Sequence, residues 1–380
     1  MITLTPDTLH HQGFSAAEKL EYIDALRGIA ILMVIFVHNS QTVNGLSVQA
    51  KSISEYGQIG VQLFFVASAY TLCFSQTKRV QEKYQLRSFF MRRFFRIAPL
   101  YYFAIIWYFL TNPFNNILKI INATPHYDFL NVLANVFFLH GFVPFANNNI
   151  VPGGWSIGTE MAFYGLFPML FTLFSWVHRK WGMLPLYGLI VASILLNLTV
   201  QMLIGQFLSD ELVHDPFIYR NLINQLPVFV IGMTTFFYHQ NDHRLPIPIV
   251  VQAILFAAIT LALEQLFNDK KPWVLVIVTV CSGLSFALLL NIFRELKYSN
   301  KILEEIGKVS YSMYIFHFGF VWYLVPGLKM NLEGFIEPHL LLILSFILAV
   351  VSTFWVAKLS YKYIESPGIL LGKYLIAKWQ

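Results

Sequence analysis

In the stretch "YIDALRGIAILMVIFVHNS", Asp24 and Arg27 stand near one end of an apolar run of membrane length and His38 near the other. A helix that only anchors a protein has no need of an imidazole eleven residues beyond a guanidinium. At about 1.5 Å per residue the two are roughly 16 Å apart along the axis. In a hydrocarbon layer about 30 Å thick, Arg27 then sits near an interface and His38 well inside. Ionisable groups within a span are costly and as a rule face a bundle interior, a cavity or a partner. Two more occur. Glu160 lies in "GGWSIGTEMAFYGLFP", about one turn past Trp155, which reads as an interfacial anchor on the outer side; His317 lies midway along "VSYSMYIFHFGF". A carboxylate fixes an imidazole's tautomer and raises its basicity, as a general base requires. Glu160 enters from the outer face and is expected at the depth of His38, so the two are candidates for such a pair. A structural hydrogen-bond bridge between helices is the alternative for each.

A second cluster is basic. In "RSFFMRRFFRIAPLYY", Arg93 and Arg96 are three residues apart and share one helical face. Two neighbouring guanidiniums suit a polyanionic ligand, since each can clamp phosphate oxygens bidentately. Lipid-headgroup binding or topology control is the alternative, and is the reading adopted for Arg87 and Arg92. Arg27 has two candidate carboxylate partners, Asp24 beside it and Glu365 of "YKYIESP".

These groups need helices in a bilayer to position them. Of the 380 residues, 57% are hydrophobic and 12% charged, and the mean hydropathy is +0.59. Soluble domains carry about 25% charged residues, so an all-α polytopic membrane protein is expected, forming one integral-membrane domain over 1–380. Apolar runs of spanning length fall at 24–43, 57–76, 95–111, 156–177, 184–206, 222–238, 246–266, 273–293, 309–327 and 338–357, about ten transmembrane helices. An eleventh stretch, "FLNVLANVFFLHGFV" (129–143), is shorter and reads as a re-entrant or interfacial helix. Residues 1–20 are polar and lack the apolar core and cleavage site of a signal peptide, so the first span is expected to be a retained signal anchor. Cys73 and Cys281 lie in apolar runs without metal-site spacing.

Charge sets the orientation. With ten spans and a cytoplasmic N-terminus, the inner segments are 1–27, 77–96, 178–183, 239–246, 294–308 and the tail 358–380; they hold 20 of the 26 Lys and Arg. Lys51, Lys119, Arg220, Lys270, Lys271 and Lys329 fall outside. This asymmetry follows the positive-inside rule, and an eleven-span arrangement would spoil it. Both termini are expected in the cytoplasm. The net charge of +6 follows from topology and membrane lipids, with no nucleic-acid partner implied. Arg93 and Arg96 then face the cytoplasm, where phosphate-bearing metabolites are, while His38 lies farther along a path to the outside. A donor with an anionic head and a long thin arm would dock at the arginines and carry its reactive end to His38.

Taken together, these motifs resemble the membrane-bound acyltransferase-3 family, the multi-spanning bacterial O-acyltransferases of surface glycans. Arg27 and His38 match its basic residue, ten intervening residues and histidine; Arg93 and Arg96 match its RxxR element. Trp155, Ser156 and Glu160 match its Trp-Ser motif with glutamate, Ser310, Tyr311, Tyr314 and His317 its Ser-Tyr-x-x-Tyr-x-x-His stretch, and Glu365 its closing Tyr/Glu/Pro stretch. Ala69 stands where the family usually has glycine. The resemblance implies a cytoplasmic acyl donor, usually acetyl-coenzyme A, its phosphates held by Arg93 and Arg96, and an acceptor hydroxyl on a lipid-linked or exported sugar. It implies His38 as the catalytic residue, Arg27 and Glu160 as essential supporting groups, and residence in the bacterial cytoplasmic (inner) membrane, in polysaccharide O-acetylation. No metal is needed.

His38 fits two chemistries, a general base for direct attack by the sugar hydroxyl or a nucleophile that carries the acyl group. The direct route is preferred, because no second base is evident beside it. Glu160 would orient the imidazole, and Trp155 and Tyr164 would stack on a sugar ring or simply pack. No appended extracytoplasmic domain is expected, which argues for direct transfer without a second catalytic partner. Competing classes are a proton-coupled transporter of an anionic or sugar substrate, with His38 and Glu160 as relay, and a scaffold for glycan assembly. Against the transporter, the two halves show no internal repeat.

Overall fold

The computed structural model describes residues 20–118, 127–207, 216–240, 245–266, 271–332 and 334–379. The polar segment 1–19 and the basic residues Lys19, Lys119, Arg244 and Lys270 lie outside the described residues. Every described regular element is helical. Among the described residues, seven helical stretches are long and apolar enough to cross a membrane: Glu21–Ser40, Val48–Thr77, Gln85–Thr111, Gly154–Trp181, Leu184–Ile204, Trp273–Glu295 and Pro338–Ala377. The remaining expected spans are helical too but shorter or more polar. Leu222–Gln240 carries buried Asn224 and Gln225, Ile249–Leu263 is a short apolar helix, and Ser310–Gly319 passes through a π-helical turn, Phe320–Leu324, into Val325–Leu332.

α1 (Glu21–Ser40) leads through α2 (Val48–Glu55) to α3 (Gly60–Thr77). α3 runs back along α1: Gly60 lies against Ala30 and Val34, and Thr71 accepts a 2.9 Å bond from Arg27. α4 (Gln85–Leu118) is one long helix with the basic cluster in its first three turns. α5 (Phe129–Val136) has only eight residues, about 12 Å, too short to cross by itself. Asp128 caps it, and the Asn131 amide donating to that carboxyl holds it below the ordinary aspartate range. The chain then turns through His140, packed on Tyr101, and enters α6 (Gly154–Trp181) at Gly153, whose φ of 74° is easy for glycine alone. α7 (Leu184–Phe207), α8 (Pro216–Arg220), α9 (Leu222–Gln240), α10 (Ile249–Leu266) and α11 (Pro272–Glu295) follow.

α9 packs on α3 through Gly232, where an added methyl would stand 2.8 Å from the Val66 carbonyl and 3.0 Å from the Ala69 methyl. The methyl at position 69 thus has a glycine opposite it, so the departure at Ala69 closes no contact. α12 (Lys301–Lys308) is a short amphipathic helix seated on the start of α1, with Gly307 against the Asp24 backbone and Gly28 against that of Leu303. It hands the chain to α13 (Ser310–Gly319). α14 (Val325–Leu332) and α15 (Pro338–Ser360) complete the pass, and a π-helical turn, Tyr361–Glu365, joins α15 to α16 (Ser366–Ala377), which lies on α4 with Gly368 against Pro99 and Gly372 against Phe95. The core is a continuous apolar body in which phenylalanines stack, Phe163 on Phe229 at 3.9 Å and Phe65 on Phe229 at 4.5 Å.

Candidate active site

One cavity, about 670 Å³ counting the open space at its mouth, gathers side chains from five segments far apart in sequence. α1 gives Arg27; α3 gives Phe64, Ser68 and Thr71; α4 gives Arg93 and Arg96; α6 gives Ser156, Glu160 and Tyr164; α13 gives Ser310, Tyr311 and Tyr314. The antiparallel run of α1 and α3 fixes its axis. Arg27, Thr71, Tyr164 and the two α4 arginines stand at one end, and Val61, Ser156 and Tyr314 at the other. Eight residues of α6 separate Ser156 from Tyr164, about 12 Å of helix. Arg27, Arg93, Arg96, Ser156, Glu160, Tyr164, Ser310, Tyr311 and Tyr314, all named from sequence, therefore share one wall.

Charge in this space is lopsided. Arg27 lies 3.5 Å from Asp24 and donates to Thr71. Arg93 faces the Phe89 and Tyr164 rings at 5.8 and 5.9 Å, and its buried Nε has no hydrogen-bond partner among the described residues. Arg96 lies within the field of Glu365, Glu160 and Tyr164, and among the described residues neither Arg93 nor Arg96 forms an ion pair. The other α4 arginines are engaged elsewhere: Arg92 holds Glu82 through two 2.9 Å bonds, and Arg87 covers Trp379 at 3.5 Å. The cavity thus offers guanidinium donors that no described residue engages in an ion pair, as an anion site requires.

Glu160 corrects one expectation. It does not meet His38. Its Oε1 accepts a 2.5 Å bond from Ser68 and a 2.6 Å bond from Tyr164, which places it level with the arginines. The cause is the start of α6. Trp155 is no interfacial anchor but is buried against Phe65 and Tyr219, with the Arg220 guanidinium 5.9 Å from its ring. The turn at His140 and Gly141 packs on Gly154 and Gly158, so the helix begins inside the protein and carries Glu160 deeper than a surface start would. Glu365 is likewise not the partner of Arg27; it accepts from Ser312 at 3.0 Å, fully within the core.

His38 is not on the wall of this cavity; it lies past the end marked by Tyr314. Its Nδ1 is 3.2 Å from the Gln41 side-chain oxygen. Its ring stands 4.4 Å from Phe318 and 5.4 Å from His317, whose own ring is 5.6 Å from Tyr314. Tyr314, His317 and Phe318 therefore form a partition between cavity and imidazole. Tyr314 is tied in place by Ser156, which donates to its hydroxyl at 2.8 Å, and by its own 3.0 Å bond to the Gly153 oxygen. Ser68 and Thr71 were not singled out from sequence. Their signal is two hydroxyls three apart within "FFVASAYTL", which places both on one helical face. Gln41, just past the end of α1, gave no signal. Among the described residues no group of three His, Cys, Asp or Glu is placed to hold a metal ion.

Comparison with known proteins now bears on the site. The family model described as Acyltransferase domain matches residues 20–360. A Staphylococcus aureus (strain COL) protein, whose name gives O-acetyltransferase as a provisional description, is 25% identical over 392 residues, covering 94% of this chain and 59% of its own. Peptidoglycan O-acetyltransferase OatA of Listeria monocytogenes is 25% identical over 367 residues, covering 91% and 55% respectively. O-acetyltransferase OatA of Staphylococcus aureus is 23% identical over 385 residues, covering 96% and 59%. The chain spans more than half, but less than two thirds, of the length of these relatives. No solved structure matches it.

Proposed function

Because this chain belongs to the acyltransferase-3 family, we propose that it moves an acyl group, in the first place acetyl, from acyl-coenzyme A to a hydroxyl of a lipid-linked or exported glycan. The observation that carries this reading is the cavity wall that holds Arg93 and Arg96 without an ion-pair partner among the described residues. The coenzyme phosphates bind there from the cytoplasmic side, with Arg27 close by. The pantetheine arm follows the cavity past Ser68 and Glu160 toward Ser156 and Tyr314. Glu160 keeps Ser68 and Tyr164 in position and offsets the positive charge of the three arginines. The acceptor hydroxyl comes from the outer side to His38, whose Nε2 takes its proton while the oxygen attacks the thioester carbon.

The arrangement asks for one movement. For thioester and imidazole to meet, the partition of Tyr314, His317 and Phe318 must shift. The protein sits in the bacterial inner membrane in this reading, both termini in the cytoplasm, with about ten spans. The peptidoglycan named for the Listeria relative makes a cell-wall or related surface glycan the first acceptor to try.

Calorimetric titration of acetyl-coenzyme A into the purified protein tests the donor half. We expect binding by the wild type and its loss in Arg93→Ala/Arg96→Ala. Equal affinity in both proteins would remove the reading's main support. Mass spectrometry of surface glycans from wild-type and His38→Ala cells tests the acceptor half through a missing ester mass.

A further inference from the structure

Among the described residues, one polar atom of His317 has nothing to bind. The residue has no exposed surface. Its Nδ1 lies 2.7 Å from the Tyr314 backbone oxygen. A carbonyl only accepts, so Nδ1 holds the ring hydrogen and Nε2 remains a bare lone pair. Among the described residues, that Nε2 has no hydrogen-bond partner. A buried acceptor left unpaired is destabilising, and an apolar ring would fill the space without that loss. Packing therefore does not account for an imidazole here.

Its place suggests the use. On one side is Tyr314, on the cavity wall; on the other is His38, which the cavity does not reach. Acyl transfer has two proton ends. The acceptor oxygen must lose a proton and the departing sulfur must gain one; in the proposed reading those atoms approach from the two sides of this ring and meet at one carbon once it has shifted, which leaves the ring beside both.

We propose that His317 is the proton carrier between them. The acceptor's O–H bond breaks and its proton passes to His38 Nε2 as the oxygen forms its bond to the thioester carbon. The C–S bond breaks and its electron pair leaves with the sulfur. His317 Nε2 takes the proton from His38 and delivers it to that sulfur, giving the free thiol. Both imidazoles end neutral, and no outside acid or base is needed. The Tyr314 carbonyl keeps His317 in the tautomer that has Nε2 free, and its bond to Nδ1–H strengthens while the ring is charged. This role rests on the acyltransferase reading.

The test uses full-length protein in lipid nanodiscs, acetyl-coenzyme A as donor and a soluble muropeptide or glycan fragment as acceptor. His317→Asn keeps an N–H for the Tyr314 carbonyl but removes the base. We expect an acetyl-coenzyme A affinity within about twofold of wild type and a kcat reduced about a hundredfold or more, the usual weight of a proton-transfer group. His38→Ala/His317→Asn should be no slower than about threefold below His38→Ala, since both groups serve one proton. His317→Gln, whose amide oxygen fills the Nε2 position without taking a proton, guards against a misfolded Asn variant. Either folded variant turning over within about threefold of wild type, or a double variant that loses the product of the two single losses, overturns the proposal. A wild-type protein that transfers nothing to any acceptor would instead fail the acyltransferase reading itself.

Discussion

The Glu160 carboxylate and the Tyr164 hydroxyl, one turn apart on α6, are joined by a 2.6 Å hydrogen bond at the arginine end of the cavity. Tyr164 is buried and also presents its ring to Arg93, so one side chain steadies both charges. Hydrogen bonds to a charged group contribute about 1.5–3 kcal/mol. Tyr164→Phe keeps the ring and removes the bond. It should lower thermal stability in detergent by that order while sparing the cation–π contact. An unchanged melting temperature would mean that the bond holds nothing together.

Donor truncation separates charge recognition from the rest of the cavity. Acetyl-pantetheine lacks the nucleotide phosphates. If Arg93 and Arg96 read phosphate, wild type and Arg93→Ala/Arg96→Ala should use it equally poorly, with kcat/KM values within about threefold. With acetyl-coenzyme A they should differ by about a hundredfold or more, from two charge-assisted contacts of about 1.5–3 kcal/mol each. A double variant impaired equally on both donors would assign the arginines a structural role.

Much of this site was legible before any coordinates. Arg27, Arg93, Arg96 and Glu160 are charges in apolar runs, and such charges seek a shared polar space because lipid offers them none. Ser156, Ser310 and Tyr314, named only through the family resemblance, line the same wall. Depth was not legible. Glu160 misses His38 because α6 starts inside the protein, against Trp155 and the His140 turn, and no periodicity reports how far a loop dips before a helix begins. Ser68 and Thr71 escaped notice because a hydroxyl in a span can bond its own helix, as Thr71 does to Ala67 and Ser68, and so resembles ordinary packing. Among the described residues, the seven long apolar helices against about ten expected spans reflect the polar side chains in Leu222–Gln240, the Ser, Tyr and His side chains of Ser310–Gly319 and the shortness of Ile249–Leu263.

The contact of α12 with α1 sets where Ser310 and Tyr311 enter the cavity. A methyl on Gly307 would run into the Asp24 backbone, and one on Gly28 into the Leu303 carbonyl. Overpacking of this kind costs about 1–3 kcal/mol when the neighbours can yield. Here both neighbours are backbone, so Gly307→Ala should fall at the upper end. We expect a lowered melting temperature together with weaker acetyl-coenzyme A binding, because Arg27 and Ser310 flank the displaced helices. Wild-type melting and affinity in both Gly307→Ala and Gly28→Ala would show that the helices slide apart freely.

Rapid-quench labelling distinguishes the two chemistries open to His38. A nucleophilic imidazole would accumulate acyl-protein when radioactive donor is mixed with enzyme and no acceptor is present, because the second step has no partner. A general base leaves no adduct under the same conditions. The structure places Gln41 on His38 Nδ1 and, against the expectation that no second base stands beside it, His317 5.4 Å from its ring. Nε2 is thereby free as a base, and a neighbouring imidazole is at hand to receive the proton. We therefore expect no acid-stable or neutral-stable label within one turnover time, and label in the glycan product once acceptor is added. Stoichiometric acyl-protein that disappears in His38→Ala would replace direct attack with a two-step transfer, and His317 would then serve as the base for the second step.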